Sequence, residues 1–237
     1  MVNTPKPFFI TTPIYYVNDK PHIGHAYTTI AADVLARHYK SAGRPSGVFF
    51  LTGTDEHGAK IAAAARHAGQ PPQEYVNKLA PTYEKAWANL GVEYDGFIRT
   101  TNPEHEQIVK ELVQKLKTNG YLEKRSYEGL YCEGCERFLK KDELIDGKCP
   151  DHHTVPAKQS EENYFFLLSK FTEQLLEKIN NNELIIEPVA RRNEVLGKIK
   201  QGLDDVSISR AGVGWGIPFP GDERQTIYVW VDALINY

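Results

Sequence analysis

The chain is most informative at Pro21-His22-Ile23-Gly24-His25, close to its N-terminus. This stretch follows an apolar run and a polar turn, and it opens a segment whose apolar residues recur at helical spacing as far as Gly43. The order predicts a strand, a turn and then a helix over residues 22–42, with Pro21 near the first helical position, where its missing N–H costs nothing. Because the two histidines are three residues apart, their side chains are expected on one face of the first turn.

The predicted start of this helix suits an anion. A helix N-terminus presents unpaired N–H groups and a positive partial charge, and a polyphosphate can use both. Gly24, between the histidines, has no side chain to keep a ligand away from the backbone. The plainer interpretation is a pair of surface histidines, so the rest of the chain has to decide between the two.

Composition is that of an ordinary soluble globular protein, with 41% hydrophobic and 25% charged residues among 237. No apolar run approaches the ~20 residues that a membrane helix needs, and the first residues have no signal-peptide pattern, so we expect a cytoplasmic protein that does not bind a membrane. The net charge of −3 gives no support for nucleic-acid binding, and an RNA partner would have to meet a local basic surface or parts of a longer protein. Three clustered cysteines, an odd number, argue against a disulfide framework.

Alternating strands and helices predict the fold class. Strand patterns lie at 4–16, 48–52 and 97–99, and a helix opens at Asn102-Pro103 after the last of them. This order predicts right-handed βαβ units and an α/β fold with a Rossmann-like parallel sheet. Ligands of such sheets bind beyond the carboxyl ends of the strands, so the two histidines and Asp55 are expected to share one cleft.

Further elements follow from periodicity and from helix-breaking residues. An Ala-rich helix is expected to end at Gly69, and the next helix to start at Pro72 and to be broken or restarted by Pro81. In the second half of the chain, an apolar strand is predicted at 164–168 and a helix at 170–179.

The predicted strands become short after Gly120, and this change in the sequence pattern predicts the domain organisation. Residues 1–116 are expected to form the first half of a Rossmann-like nucleotide-binding domain, and residues 117–225 an inserted connective domain with short strands. Residues 226–237 would then return to the first domain through a strand at 226–231.

Two short hooks, Cys132-x2-Cys135 and Cys149-x2-His152, predict a metal site. Each hook offers two soft ligands, and together they can close a tetrahedral shell around one structural Zn²⁺, with no open position, in a knuckle at about 130–153. His153 is the alternative fourth ligand, but the second hook mirrors the first only if His152 binds. The alternative for the thiols is burial as free cysteines.

Several motifs in combination resemble the methionyl-tRNA synthetases, a family of class I aminoacyl-tRNA synthetases. They are His-Ile-Gly-His at 22–25 and the stretches at 12–18, 53–58, 207–210, 215–218 and 228–237. The resemblance extends from about residue 8 to residue 237. It implies an enzyme, a methionine–tRNA ligase, that activates L-methionine with ATP to methionyl-adenylate and transfers the methionyl group to tRNA(Met). It also implies one structural zinc ion and ATP with Mg²⁺ as a substrate.

The same resemblance implies a role for each matching residue. His22 and His25 would be catalytic, and with Gly24 and Arg210 they would bind ATP. The α-ammonium group of methionine would bind Asp55. The methionine side chain would lie in an apolar and aromatic pocket formed by Pro13, Ile14, Tyr16, Trp230, Ala233, Leu234 and Tyr237.

Residue chemistry alone leaves plainer alternatives for three of these positions. Asp55 could be a helix N-cap, Trp230 a core aromatic on a buried strand, and Arg210 a surface arginine.

The resemblance also has a gap. The family's Lys-Met-Ser-Lys-Ser loop, which clamps ATP phosphates, does not occur in these 237 residues, and neither does the helical anticodon-binding domain. A truncated synthetase is therefore expected, which keeps much of the methionine site but is feeble or inactive in catalysis, with anticodon contacts made by the missing C-terminal part. The competing hypotheses are another class I synthetase, a non-catalytic fragment that binds RNA or a protein partner, and a related nucleotidylyltransferase.

Overall fold

The computed structural model describes residues 7–43, 47–135 and 137–237. The chain divides into two compact units. The first comprises Met1–Glu111, Val213–Pro218 and Thr226–Tyr237, and the second comprises Leu112–Gly212 and Phe219–Gln225. Across the described ranges, no helix combines the length and the apolar character that crossing a membrane would require.

The first unit contains a parallel sheet, which confirms the fold class predicted from the alternation of strands and helices. Its strands are β1 (Phe8–Thr11), β2 (Tyr15–Tyr16), β3 (Val48–Asp55) and β4 (Gly96–Arg99), and the other three each run parallel to β3. Leu51 pairs with residues of both β1 and β4, and Thr54 pairs with residues of both β2 and β4. Because a strand has two edges, β1 and β2 share one edge of β3, and β4 occupies the other.

The central strand β3 is longer than the predicted strand at 48–52, because it continues through Gly53 to Asp55. A Cβ atom at Gly53 would lie 2.1 Å from the backbone oxygen of Ile98 on β4. Only glycine lets the two strands approach so closely. This extension carries Asp55 to the carboxyl end of the sheet.

The helices of the described ranges follow the predicted order, with two corrections. In chain order they are α1 (Ile23–Ser41), α2 (Ala59–His67), α3 (Pro72–Asn89), α4 (Pro103–Thr118), α5 (Thr172–Asn180), α6 (Val189–Lys200) and α7 (Val229–Leu234). The first correction concerns Pro81, which was expected to break a helix. Helix α3 continues through Pro81 without interruption, although an interior proline costs a helix about 3 kcal/mol. Full burial of one apolar face offsets that cost, and this face consists of Val76, Ala80, Tyr83 and Trp87.

Helix α1 forms where it was expected, but it packs by a different face from its apolar stripe. The buried residues of α1 are Thr29, Ala32, Asp33 and Ala36, which are small or hydrogen-bonded. The apolar residues that predicted the helix are exposed, from 41% for Ile30 to 88% for Ile23. Small side chains thus bring the helix close to the sheet. Pro21, which was expected near the first helical position, lies outside the helix because His22 is its N-cap.

The second correction concerns the C-terminal strand predicted at 226–231, which is wrong beyond residue 227. The strand there is β11 (Asp222–Ile227), and after Tyr228 the chain enters α7. Val229 and Asp232 are three residues apart and both are buried, and a helix, unlike a strand, places two such residues on one face. Long-range contacts of Asp232, described below, select the helix.

The second unit is built on antiparallel strands that are longer than predicted. They are β5 (Leu122–Cys132), β6 (Arg137–Leu139), β7 (Ala157–Phe166) and β8 (Val206–Ser207), in the order β6-β5-β7-β8. β5 and β7 pair continuously from Leu122↔Phe166 to Tyr131↔Ala157. Of the strand predicted at 164–168, only residues 164–166 are strand, and they form the end of β7. The rest of β7 contains many polar residues, so the apolar pattern did not predict it.

Two smaller assemblies complete the described ranges. α5 lies close to its predicted position and packs against α6 through a cluster of Ile179, Leu196 and Ile199. The short strands β9 (Ser209–Ala211) and β10 (Pro218–Phe219) join β11 in a three-stranded sheet, in the order β10-β11-β9.

Candidate active site and metal centre

The two histidines of the N-terminal motif cap α1 reciprocally. His22 Nδ1 accepts a hydrogen bond from the backbone N–H of Gly24 at 3.0 Å, and the backbone N–H of His22 donates to His25 Nδ1 at 3.3 Å. The two rings stack with centroids 3.8 Å apart. Because Nδ1 of each ring accepts, a neutral ring carries its proton on Nε2, and each Nε2–H can donate to a ligand. A side chain at Gly24 would collide with the His22 ring, since its Cβ would lie 2.9 Å from Cε1.

His25 rests on an aromatic support. Its ring lies 4.8 Å from that of Tyr15 and 5.6 Å from that of Tyr83, and its backbone carbonyl accepts a hydrogen bond from Thr29 Oγ1 at 3.0 Å. Burial, helped by the neighbouring His22 ring, lowers the pKa of His25. Near neutral pH the imidazole is therefore uncharged and acts as a hydrogen-bond donor through Nε2.

Asp55 lies at the same end of the sheet as the segment that leads into α1. Asp55 pairs with Tyr16 across β3 and β2, and its backbone oxygen accepts a hydrogen bond from the N–H of Val17 at 3.0 Å. The residue as a whole is half-buried, and one oxygen of its carboxylate group, Oδ1, is fully buried. The alternative role as a helix N-cap is wrong, because the N-cap of α2 is Gly58.

The residues predicted for an amino-acid pocket come from the two ends of the chain, and the structure brings one pair of them into contact. The backbone N–H of Ile14 donates to Tyr237 Oη at 2.9 Å. Trp230 and Leu234 project from α7 and are 59% and 63% exposed. The alternative for Trp230, a core aromatic on a buried strand, is wrong on both counts. Of the remaining three, Pro13 is exposed, and Tyr16 and Ala233 are half-buried.

Sequence reasoning missed a fully buried carboxylate beside Asp55. Glu56 accepts hydrogen bonds from Arg99 Nε at 2.8 Å, from Thr54 Oγ1 at 2.6 Å and from Thr101 Oγ1 at 2.6 Å. Arg99 Nη2 adds a second contact at 2.9 Å, so the ion pair is bidentate. The pair joins the loop after β3 to the end of β4, and its members lie 43 residues apart in sequence. No local pattern could have paired them.

A second buried polar cluster was also missed. Asp232, 1% exposed, lies with its Oδ2 2.7 Å from His57 Nδ1 and its Oδ1 2.6 Å from His105 Nε2. Burial alone would raise the pKa of Asp232, but hydrogen bonds from His105 and His57 reverse this and hold the pKa below its ordinary value. Asp232 is therefore an anion at neutral pH.

Arg210 is not the surface arginine of the plainer interpretation. It belongs to the second unit and is 5% exposed. Its Nη1 donates to Ser207 Oγ at 2.8 Å and to the backbone oxygen of Ser209 at 2.8 Å.

The metal ligands predicted from the two hooks come together in the second unit. The thiols of Cys132, Cys135 and Cys149 and an imidazole nitrogen of His152 all lie within 4.8 Å of one another. His152 Nδ1 is 3.4 Å from Cys135 Sγ and 3.7 Å from Cys149 Sγ. A Cβ atom at Gly134 would lie 2.4 Å from the His152 ring, so glycine leaves room for the imidazole.

Three thiols and one imidazole are a donor set that fits Zn²⁺ and leaves no fifth, open position. His153 is not a member of the cluster and has a positive φ of 55°. Burial, with hydrogen bonds that the Cys135 thiol donates to Cys149 and Cys132, raises the pKa of Cys135 to about 12. Three thiols so close together cannot all ionise unless a cation neutralises them, which Zn²⁺ would do.

Comparisons with known proteins agree with this picture. The family model described as tRNA synthetases class I (M) matches residues 8–160 and 152–237. The chain is 48% identical over 231 residues to the chloroplastic/mitochondrial methionine–tRNA ligase of Arabidopsis thaliana and 49% identical over 234 residues to the methionine–tRNA ligase of Thermotoga maritima. Each alignment covers 97% of this chain and 37% of the relative.

A solved structure is similar over the same extent. Methionyl-tRNA synthetase of Mycobacterium tuberculosis in complex with methionyl-adenylate superimposes with a TM-score of 0.91 at 40% identity, over 98% of this chain and 46% of that one. The chain thus spans less than half the length of the relatives that it matches.

Proposed function

The chain belongs to the class I tRNA synthetases of the methionine type, and on that premise we propose that its first unit carries the site at which L-methionine is activated by ATP. The reaction would form methionyl-adenylate and pyrophosphate, and the methionyl group would then pass to tRNA(Met). One observation carries the proposal: Tyr16 pairs with Asp55, so the segment leading to the His22–His25 cap and the Asp55 carboxylate meet at the carboxyl end of one parallel sheet. Such ends are where open parallel sheets bind ligands.

The α1 terminus is the proposed site for the phosphates. Activation is an in-line attack of the methionine carboxylate on the α-phosphorus of ATP, which enters with Mg²⁺, and it expels pyrophosphate. No protein nucleophile is needed, so catalysis consists of positioning and of stabilising developing negative charge. The Nε2–H groups of His22 and His25 would donate to phosphate oxygens, and Gly24 lets the phosphate approach the backbone.

Asp55 is the proposed ligand of the methionine α-ammonium group. A carboxylate and an ammonium form a charge-assisted hydrogen bond, which is about twice as strong as a neutral one. The thioether side chain would lie among the apolar and aromatic residues named above. The hydrogen bond between Ile14 and Tyr237 would hold two walls of that pocket together. An apolar pocket with tyrosine hydroxyls suits an unbranched thioether.

The zinc cluster has no part in these steps. Cys132, Cys135, Cys149 and His152 would hold the ion. Its chemistry would be structural, because it ties together two loops whose own apolar cluster is small. Arg210 is not part of the proposed phosphate site, because its Nη1 already donates to Ser207 Oγ and to the backbone oxygen of Ser209.

The tRNA step and the location of the protein are further parts of the proposal. Anticodon contacts would have to come from outside these 237 residues. Three reduced cysteines arranged as metal ligands suit a reducing compartment, and we therefore place the protein in the cytoplasm.

Calorimetric titration of the zinc-loaded chain with L-methionine tests the proposal, with leucine, isoleucine, valine and cysteine as controls. Saturable binding of methionine alone is expected. A folded chain that binds an RNA probe but no amino acid would contradict the proposal and favour a binding module instead.

A further inference from the structure

A buried carboxylate between two histidines lies next to the proposed site and has no part in the activation step. Its three members come from three elements of the first unit. Asp232 is on α7, His57 is in the loop between β3 and α2, and His105 is in the first turn of α4. All three side chains are at most 5% exposed.

The geometry fixes where the protons lie. A carboxylate can only accept hydrogen bonds, so both facing nitrogen atoms must donate: Nδ1–H of His57 and Nε2–H of His105. Both oxygen atoms of Asp232 are then satisfied. The other nitrogen of the His57 ring, Nε2, lies 4.0 Å from Glu106 Oε1, and its ring packs 5.3 Å from that of Trp215.

This clamp ties α7 to the loop after β3 and to α4. The helix has six residues, which is far too short to be stable through its own hydrogen bonds. Its anchors in the first unit are the buried residues Val229 and Asp232. Asp232 is two residues from both Trp230 and Leu234, and His57 is two residues from Asp55.

We infer that Asp232 is a positioning residue, which sets the distance between the ammonium ligand Asp55 and the pocket wall on α7. The inference rests on the proposed function, because it assigns Asp55 to the ammonium group and α7 to the side chain of methionine. A rigid distance between these two ends measures the length of the amino acid. Loosening the clamp therefore weakens binding of methionine and its discrimination against leucine, but leaves ATP binding at the α1 terminus unchanged.

Two matched pairs of variants test this inference, because one member of each pair keeps the N–H donor to Asp232 in place and the other misplaces it. Asparagine places an N–H close to histidine Nδ1, and glutamine places one close to Nε2. His57→Asn and His105→Gln therefore keep the donor that Asp232 needs, whereas His57→Gln and His105→Asn misplace it. The two conservative variants are expected to bind methionine within about threefold of the parent, and the two mismatched variants roughly tenfold or more weakly.

The measurements are calorimetric affinities for methionine, leucine and ATP, with amide hydrogen exchange of residues 229–236 in the ligand-free chain. Support would be weaker methionine binding and faster exchange in the mismatched variants only, with unchanged ATP affinity. Equal effects within each pair, or loss of ATP affinity in step with methionine affinity, would overturn the inference. Global unfolding of both mismatched variants, with both conservative ones folded, would also overturn it, since the clamp would then hold the whole unit. A parent chain that binds no methionine would remove the proposed function itself, and the inference with it.

Discussion

The zinc cluster and the Asp232 clamp are both compact groups of titratable side chains, but they are encoded in opposite ways. The four metal ligands lie within 21 consecutive residues, 132–152, and their spacing alone predicts the site. The clamp joins residues that are 127 and 175 positions apart, and no local spacing connects them. One group would therefore depend on the proposed zinc ion to hold a short segment together, whereas the other depends on the fold being already formed. The predictions below test this difference.

Metal removal should have the largest effect. Structural zinc contributes about 10–16 kcal/mol to the folding of small zinc domains. Cys149→Ser, or treatment with a chelator, should therefore unfold the knuckle at 132–152 while the parallel sheet of the first unit persists. Hydrogen exchange resolved along the chain would measure this, with the exposed Ser160→Ala as the control. Loss of protection in both units together would contradict the difference between a local and a fold-dependent cluster.

Breaking the ion pair of Glu56 and Arg99 should have the next largest effect. Glu56→Gln removes the charge that Arg99 binds with two hydrogen bonds, but the Arg99 side chain is 25% exposed and keeps its bond to Asn77, so the expected loss is roughly 1–3 kcal/mol. Urea unfolding of the zinc-loaded chain would measure the loss. The exposed Glu74→Gln is the matched control, expected to change the free energy of unfolding by about 0.5 kcal/mol or less. Equal effects of the two changes would mean that the ion pair does not stabilise the loop after β3.

Asp55→Asn should act on binding and leave stability nearly intact. The change keeps the shape of the side chain but removes the charge-assisted hydrogen bond to the ammonium group, which corresponds to roughly 10- to 100-fold weaker methionine binding. ATP affinity and the unfolding midpoint should stay close to those of the parent. Unchanged methionine affinity would show that another group binds the ammonium.

The smallest effect should be the pH dependence of the histidine cap. Burial lowers the pKa of His25 in the folded state, so the unfolded state binds more protons than the folded state as the pH falls. The contribution of His25 to stability is thus complete above its unfolded pKa of about 6.5 and is lost as the pH falls through the lower folded value. Proton NMR of the ring, with unfolding midpoints at several pH values, would measure this. His25→Asn keeps an acceptor for the His22 N–H and should flatten this part of the pH profile.

The predictions made from sequence succeeded where a signal is local. Strand–helix alternation predicted the parallel sheet, and the spacing of the hooks predicted the cluster that includes His152 in preference to His153. Failures occurred where distant contacts decide. Pro81 fits inside α3 because one face of that helix is buried, and residues 229–231 are helical because Asp232 meets His57 and His105.

The residues of the candidate site show the same division between local sequence signals and distant contacts. His22, His25 and Asp55 remain predictions, and each comes from a motif whose residues are adjacent in sequence. Glu56 lies in the same motif as Asp55, but its importance depends on Arg99, which only the pairing of β3 with β4 brings close. Exposure of the apolar stripe on α1 was equally unpredictable, because periodicity indicates a helix without indicating which face packs.

The most direct test of the central claim is a calorimetric titration of the zinc-loaded chain with a non-hydrolysable analogue of methionyl-adenylate, which would occupy the Asp55 end and the α1 terminus together. We predict saturable binding, tighter than that of methionine, that weakens in Asp55→Asn and in His22→Ala and that is not reproduced by the leucyl analogue. Absence of binding by a chain that is folded and zinc-loaded, or binding that neither substitution changes, would contradict the claim that these residues form the activation site.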